Sequence, residues 1–270
     1  MIDFNKTRQY TLSIRLSTDG FCFSVHNPSV SGEYAYQPYA IDPMKSVVGN
    51  LKTAVTEVEM LRHHYGTVNV IVPDAPYTLV PGEYFAESCL RDIYMQNFPG
   101  TTKDTLVMHN VVADEQIVVL FGIDQKVYQF LAEHYPKVRV CSHVTPLIEF
   151  GMEKSAASPH RYFVAHLHGR QFDVLCFAGE LPLFVNTFEH RDNANTLYFL
   201  LNCWQMLGLS QTDDTLYLAG TARGIKALVK ELEKFIANVR LVRPAEEFHA
   251  TELARIGDMP FDLQALVSCE

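Results

Sequence analysis

No apolar run in this 270-residue chain reaches the roughly 18 residues that a membrane-spanning helix needs. The opening stretch, Met1 to Gln9, is polar and lacks the apolar segment of a signal peptide. The expectation is a cytoplasmic protein with no membrane insertion. Cysteines are few and scattered: Cys22, Cys89, Cys141, Cys176, Cys203 and Cys269 include no Cys-x-x-Cys spacing of the kind zinc or redox sites use. Cys22, Cys141 and Cys176 lie within or beside apolar strand-like runs, where a thiol behaves as a small buried hydrophobe. Blocks of like charge and low-complexity segments are also absent. The net charge of −9 disfavours a nucleic-acid groove or an anionic membrane surface, because both need basic groups to displace counterions. With 48% hydrophobic and 20% charged residues, the chain can bury a core, and its length allows two domains.

The first readable element is a hairpin. Leu12, Ile14 and Leu16 alternate with polar neighbours, Asp19-Gly20 marks a turn, and Phe21, Phe23 and Val25 alternate again. Gly32-Glu33 opens a third, tyrosine-rich strand through Tyr39. A helix is expected from Met44 to His64, with Val48, Leu51, Val55, Val58 and Leu61 on one face and Gly66 as its stop. Val68 to Val72, ended by Pro73, reads as a buried strand. A helix over Glu83–Asn97, strands near Thr105–Val112 and Gln116–Gly122, a helix over Asp124–His134, a strand at Val138–Cys141 and a helix over Val144–Met152 follow.

The second half repeats this order. Strands over Arg161–His168 and Gln171–Phe177 flank Gly169, and Gly179-Glu180 opens a third through Phe188. A helix over Asp192–Leu207, a strand at Thr215–Ala219, a helix over Gly224–Ala237 and a strand at Val239–Val242 before Pro244 complete it. Gly32-Glu33 recurs as Gly179-Glu180, a shift of 147 residues (179 − 32), and the strand at Val68 recurs at Thr215 with the same shift (215 − 68). The repeat is one of element order, with little residue identity, and points to internal duplication. Three antiparallel strands followed by alternating helices and parallel strands define an α/β layered fold. The polar stretch Glu153–His160 marks the joint, so the expected domains are 1–155 and 156–270.

Two such units in tandem resemble the actin and hexokinase superfamily, and within it the actin-like proteins of type IV pilus assembly. Val138 to Glu180, with its short strand, Pro146-Leu147-Ile148-Glu149 helix, linker and second hairpin, carries the closer likeness. The resemblance implies an uncharacterised bacterial family with two RNase H-like subdomains of mixed sheets flanked by helices, in actin-like ATPase architecture. It also implies where a nucleotide would sit. Working members carry Asp-x-Gly in each hairpin, with turn amides for phosphate and the Asp for hydrated magnesium. Here the first hairpin reads Ile14-Arg15-Leu16-Ser17, with Arg15 at the acidic position and Ser17 at the glycine. The second reads His166-Leu167-His168, and the adenosine loop, Leu218-Ala219-Gly220-Thr221, keeps one of two glycines. The candidate cleft positions are therefore Arg15, Ser17, Thr18, Gly20, His166, His168, Gly169, Gly220 and Thr221.

Magnesium wants oxygen ligands, and neither a guanidinium nor an imidazole supplies one. Asp19 survives at the turn tip, where its charge would oppose a phosphate. Arg15 could bind an anion without metal, but the favoured reading is an arginine pointing to solvent from a polar strand face. His166 and His168 share a strand face. As zinc ligands they are too few without recruits such as His143 or His160, so they read as half-exposed strand histidines. His63-His64 read as partners of a helix C-terminal dipole. Ser155–Ser158 lacks the Gly-x-Ser-x-Gly elbow of a hydrolase. Asp192 suits a helix cap, and Trp204 the core.

The expected function is a non-enzymatic pseudo-ATPase, a scaffold or interaction protein with no catalytic residues, metal or cofactor, meeting a protein partner or forming a homo-oligomer. The alternative is a divergent nucleotide-dependent ATPase or phosphotransferase working in an interlobe cleft with acids such as Asp19 or Asp173. An RNase H-like nuclease is disfavoured by the acidic balance and the lack of strand-borne acid pairs.

Overall fold

The structure, a computed structural model, describes residues 2–30, 32–114, 116–220, 224–243, 256 and 258–268. The chain separates into two compact units, the first ending at Thr145 and the second beginning at Pro146.

In the first unit, β1 (Thr11–Ser17) and β2 (Gly20–His26) form the expected hairpin, and β3 (Tyr34–Tyr39) pairs with β2. After α1 (Val47–Glu57), β4 (Thr67–Val72) adds parallel to β1, and β8 (Val138–Ser142) adds parallel to β4. The sheet order is β3-β2-β1-β4-β8. Leu12, Ile14 and Leu16 alternate onto the same face as Phe21, Phe23 and Val25, where they pack with Leu51 and Ala54 of α1 and with Val127 and Leu131 of α3 (Gln125–His134). The opposite face carries Ser13, Arg15, Ser24 and Asn69, and these too are buried. The period-2 pattern thus separates apolar from polar correctly, but both faces of β1 are inside.

Between β4 and β8 lies a small antiparallel sheet of order β5-β7-β6, from β5 (Tyr77–Pro81), β6 (Thr105–Val112) and β7 (Ile117–Asp124). Its core joins Val107, Val118 and Leu120 to Tyr94 of α2 (Leu90–Asn97). β5 went unread because it is a short edge strand ending in proline, which only an edge tolerates.

The second unit repeats the first sheet. β9 (Tyr162–His168), β10 (Gln171–Ala178), β11 (Leu181–Glu189), β12 (Thr215–Gly220) and β13 (Asn238–Leu241) assemble in the order β11-β10-β9-β12-β13, with β12 parallel to β9 and to β13. Phe163, Leu167, Phe172 and Val174 pack against Leu200, Cys203 and Trp204 of α5 (Asn193–Met206) and Leu228 and Leu232 of α6 (Ile225–Leu232). Trp204 sits edge-on to Phe163, with ring centroids 5.3 Å apart. On the other sheet face, Gly151 of α4 (Val144–Ala156) lies against the Phe177 ring, and Phe150 meets Phe261 of α7 (Phe261–Ser268). α7 has almost every residue buried, so it shows no amphipathic period that a sequence reading could find.

Several boundaries differ from expectation. α1 stops at Glu57 because Val58 turns extended, and a 3-10 turn follows over Glu59–Arg62. His63 and His64 therefore lie beyond any helix end, and His63 stacks on Phe4 at 4.7 Å. The helix expected from Glu83 reduces to α2 preceded by two 3-10 turns. α4 continues to Ala156, through the start of the expected joint. Pro244 and Cys269 lie outside the described residues.

Helix caps match the residue chemistry. Asp192 accepts from Asn195 N at 2.7 Å, and Asp124 accepts from Lys126 N at 2.7 Å and Val127 N at 3.1 Å. Replacing Asp124 with Ala strands two amide donors at the start of α3, and should lower stability by about 1 kcal/mol. Urea denaturation measures this; an unchanged midpoint would show that the cap contributes nothing.

Candidate functional site

In the first hairpin Ser17 pairs with Gly20, so the loop proper is Thr18–Asp19 and not Asp19-Gly20. The turn is not empty. Because β4 runs parallel to β1, its C-terminal end arrives at the same sheet edge, and Asp74, two residues past β4, reaches the turn. Its Oδ2 accepts from Thr18 N at 2.5 Å and from the Ser17 hydroxyl at 3.1 Å. The Ser17 hydroxyl also lies in hydrogen-bond contact with the Asp19 carboxylate. One backbone amide of the turn thus already holds an anionic oxygen belonging to the protein, the charge-assisted kind of bond that is short and strong.

Arg15 does not face solvent. It is 6% exposed, opposite Cys22 in the β1–β2 register. Tyr36 donates to Cys22 Sγ at 3.3 Å. Burial, reinforced by Cys22, pushes the Tyr36 phenol up, and the positive charge of Arg15 opposes that shift. A position that would face outward in an isolated two-stranded hairpin is interior in the assembled protein, where both faces of β1 are buried.

The second hairpin is closed around a buried acid. His166 stands directly across from Asp173 in the β9–β10 register, and Thr187 stands across from Asp173 on the other side. His166 Nδ1 lies 3.1 Å from Asp173 Oδ2, His168 Nε2 lies 3.0 Å from the same oxygen, and Thr187 Oγ1 donates to Asp173 Oδ1 at 2.5 Å. The two imidazoles stack at 4.8 Å, and His166 also packs on Phe261 at 5.7 Å. Asp173 is fully buried, His166 nearly so, and His168 is 9% exposed. They are interior groups, not half-exposed ones. Two imidazoles and a carboxylate are donors that zinc accepts, but here the nitrogens close on the carboxylate itself. A carboxylate with no exposed surface is unavailable to activate a substrate from solvent.

Gly169 occupies the β9–β10 turn with a positive φ of 51°. Gly220, at φ +101°, ends β12 beside β9, where an added Cβ would sit 2.0 Å from the Leu167 carbonyl oxygen. Strand packing alone therefore demands glycine there. Thr221 lies outside the described residues. Of the candidate positions, Ser17, Thr18 and Gly20 gather at one turn, and His166, His168 and Gly169 at the other. The participants missed from sequence were Asp74 and Thr187. The available signal for Asp74 was topological: it follows the strand parallel to β1.

The molecule so described is a protein of the actin-like ATPase fold. It superposes with a TM-score of 0.87 and 35% identity, over 100% of both chains, on a crystal structure from Bacteroides thetaiotaomicron described as a protein with actin-like ATPase fold and unknown function. The PilM–PilN type IV pilus biogenesis complex contains a chain similar in fold alone, at 12% identity and TM-score 0.59, over 95% of this chain and 96% of that one. The chain belongs to the family described as protein of unknown function (DUF3822), whose model matches residues 1–239. No curated protein is significantly similar to it in sequence.

Burial, the largest influence on His166, holds its imidazole below the ordinary value of 6.5 against the opposing pull of Asp173. Below that pH the unfolded chain takes up a proton that the folded chain refuses. Stability should therefore fall as pH drops through about 6.5, with a slope of up to about 1.4 kcal/mol per pH unit from this group. Urea midpoints between pH 8 and 5.5 measure the slope, and His166→Gln should flatten it; a variant with the parental slope would assign the effect to other groups.

Proposed function

We propose that this chain is a pseudo-ATPase, a non-enzymatic actin-like protein whose fold serves as a scaffold or platform for a protein partner. The observation that carries the reading is the Asp74 carboxylate on the Thr18 amide and Ser17 hydroxyl. In an actin-like ATPase this turn would receive a phosphate. Here a phosphate must displace or approach a fixed negative charge, which costs about 1 to 4 kcal/mol per charge at about 4 Å, depending on the local dielectric. Arg15 and His166, where the fold would carry magnesium-holding acids, add no oxygen ligand.

Nucleotide and magnesium are accordingly not expected as cofactors. The similarity to a chain solved within the PilM–PilN complex supports a protein as the partner class, with self-association a further form of the same role. No helix among the described residues is long and apolar enough to cross a membrane, in keeping with action in the cytoplasm. A divergent ATPase or phosphotransferase is the second reading. What favours it is the pair Asp19 and Asp74, whose carboxylates converge on one serine hydroxyl.

Equilibrium binding of fluorescent ATP and ADP, with and without magnesium, separates the two. The scaffold reading expects no binding at up to about 1 mM nucleotide, weaker than roughly −4 kcal/mol. Metal-dependent affinity in the micromolar range would end that reading and favour the enzyme.

A further inference from the structure

A cavity of about 380 Å³ opens in the first unit at the sheet edge opposite the Ser17–Gly20 turn. It lies where the parallel strands β1, β4 and β8 begin, and three segments build it: the 3-10 turn before β1, the residues leading into β4, and the α3–β8 connection. We propose that this cavity is a binding site for a small di- or polyanion carrying phosphate or carboxylate groups, separate from any nucleotide site and from the scaffold reading.

The lining is one-sided in charge. Arg8, His64, His134 and Lys137 line it, and no acidic residue is among the described lining residues, although the whole chain has 31 acidic against 22 basic residues. Arg8 and Lys137 form no ion pair among the described residues, and both are exposed. The carbonyl end of α3 accounts for a preference for cations at His134 and Lys137. It does not account for Arg8 and His64, which arrive on other segments. An arginine fork, an ammonium and two imidazoles converging without a counter-charge match an anion with several oxygens.

The walls are held in place independently of any ligand. Thr7 Oγ1 donates to the His64 carbonyl at 2.7 Å, and Gly66 N donates to the Tyr10 carbonyl at 3.1 Å. A Cβ at Gly66 would stand 2.4 Å from the Arg8 carbonyl oxygen, so only glycine allows the two segments to meet. Tyr65 and Tyr135 spend their hydroxyls on the Met60 and Leu61 carbonyls, which leaves their rings as fixed wall. His134 Nδ1 is tied to the Phe130 carbonyl at 3.0 Å, fixing that ring as well. A preorganised site of this size fits a small organic anion.

Isothermal titration of the full chain at low salt, with pyrophosphate in one arm and citrate in the other, tests the proposal. The expected result is saturable binding tighter than about 1 mM in at least one arm, which also tells phosphate from carboxylate as the source. Arg8→Ala/Lys137→Ala should weaken it at least about tenfold, Arg8→Gln and Lys137→Gln singly by less, while Lys103→Ala should bind like the parent. Thermal midpoints confirm folding of each variant. No saturable heat in either arm overturns the site. So does an equal loss in Lys103→Ala, which would mean diffuse attraction of charge.

Discussion

The architecture depends on one strand in each unit being buried on both faces. β1 and β9 sit centrally, with an antiparallel partner on one side and a parallel one on the other. Every residue of both strands is buried, so the polar half of each alternating pattern lies inside as well. The arrangement also brings the C-terminal end of the parallel neighbour to the hairpin turn. In the first unit that end delivers Asp74 to Thr18; in the second it brings Gly220 against Leu167. Both contacts follow from the same geometry.

Burying polar groups on a sheet face is expensive unless they satisfy one another, and a lone interior carboxylate costs several kcal/mol. The second unit meets that demand locally. Asp173 lies against the imidazole of His166 and the hydroxyl of Thr187, its direct cross-strand neighbours, and against the imidazole of His168 two residues along β9, so the β9–β10–β11 register and the polar cluster specify each other. A one-residue slip of β10 would turn Asp173 to the apolar face and Phe172 and Val174 to the polar one, and would lose both register and cluster. The cluster therefore acts first as a register lock, and its histidines are explained by structure before any chemistry is asked of them.

The two sheets share strand order and direction, and the first unit carries in addition the β5-β7-β6 sheet and the basic cavity at its strand origins. The strand framework is thus repeated while its surroundings differ. In the first unit the Asp74 carboxylate occupies the hairpin turn, and the cavity at the other end of the strands is lined by basic residues.

Local pattern was enough to place most elements. The Leu12–Leu16 and Phe21–Val25 alternation, the Asp124 and Asp192 caps and the matching order of the halves are each set by interactions a few residues apart or by a period along the chain. Short or unpatterned elements escaped: β5, a five-residue edge strand, and α7, buried on all sides. The candidate site was half legible. The absence of acids at Arg15 and His166 is a property of the residues themselves. That Arg15 and both histidines are interior, that Asp74 occupies the first turn, and that Arg8 and Lys137 line one cavity depend on segments brought together from as far as 129 residues apart (137 − 8). A sequence states which groups a chain owns and how its nearest neighbours alternate. Which layer covers a polar face, and which distant carboxylate fills a turn, is decided only when the sheets assemble, because burial and charge act through space.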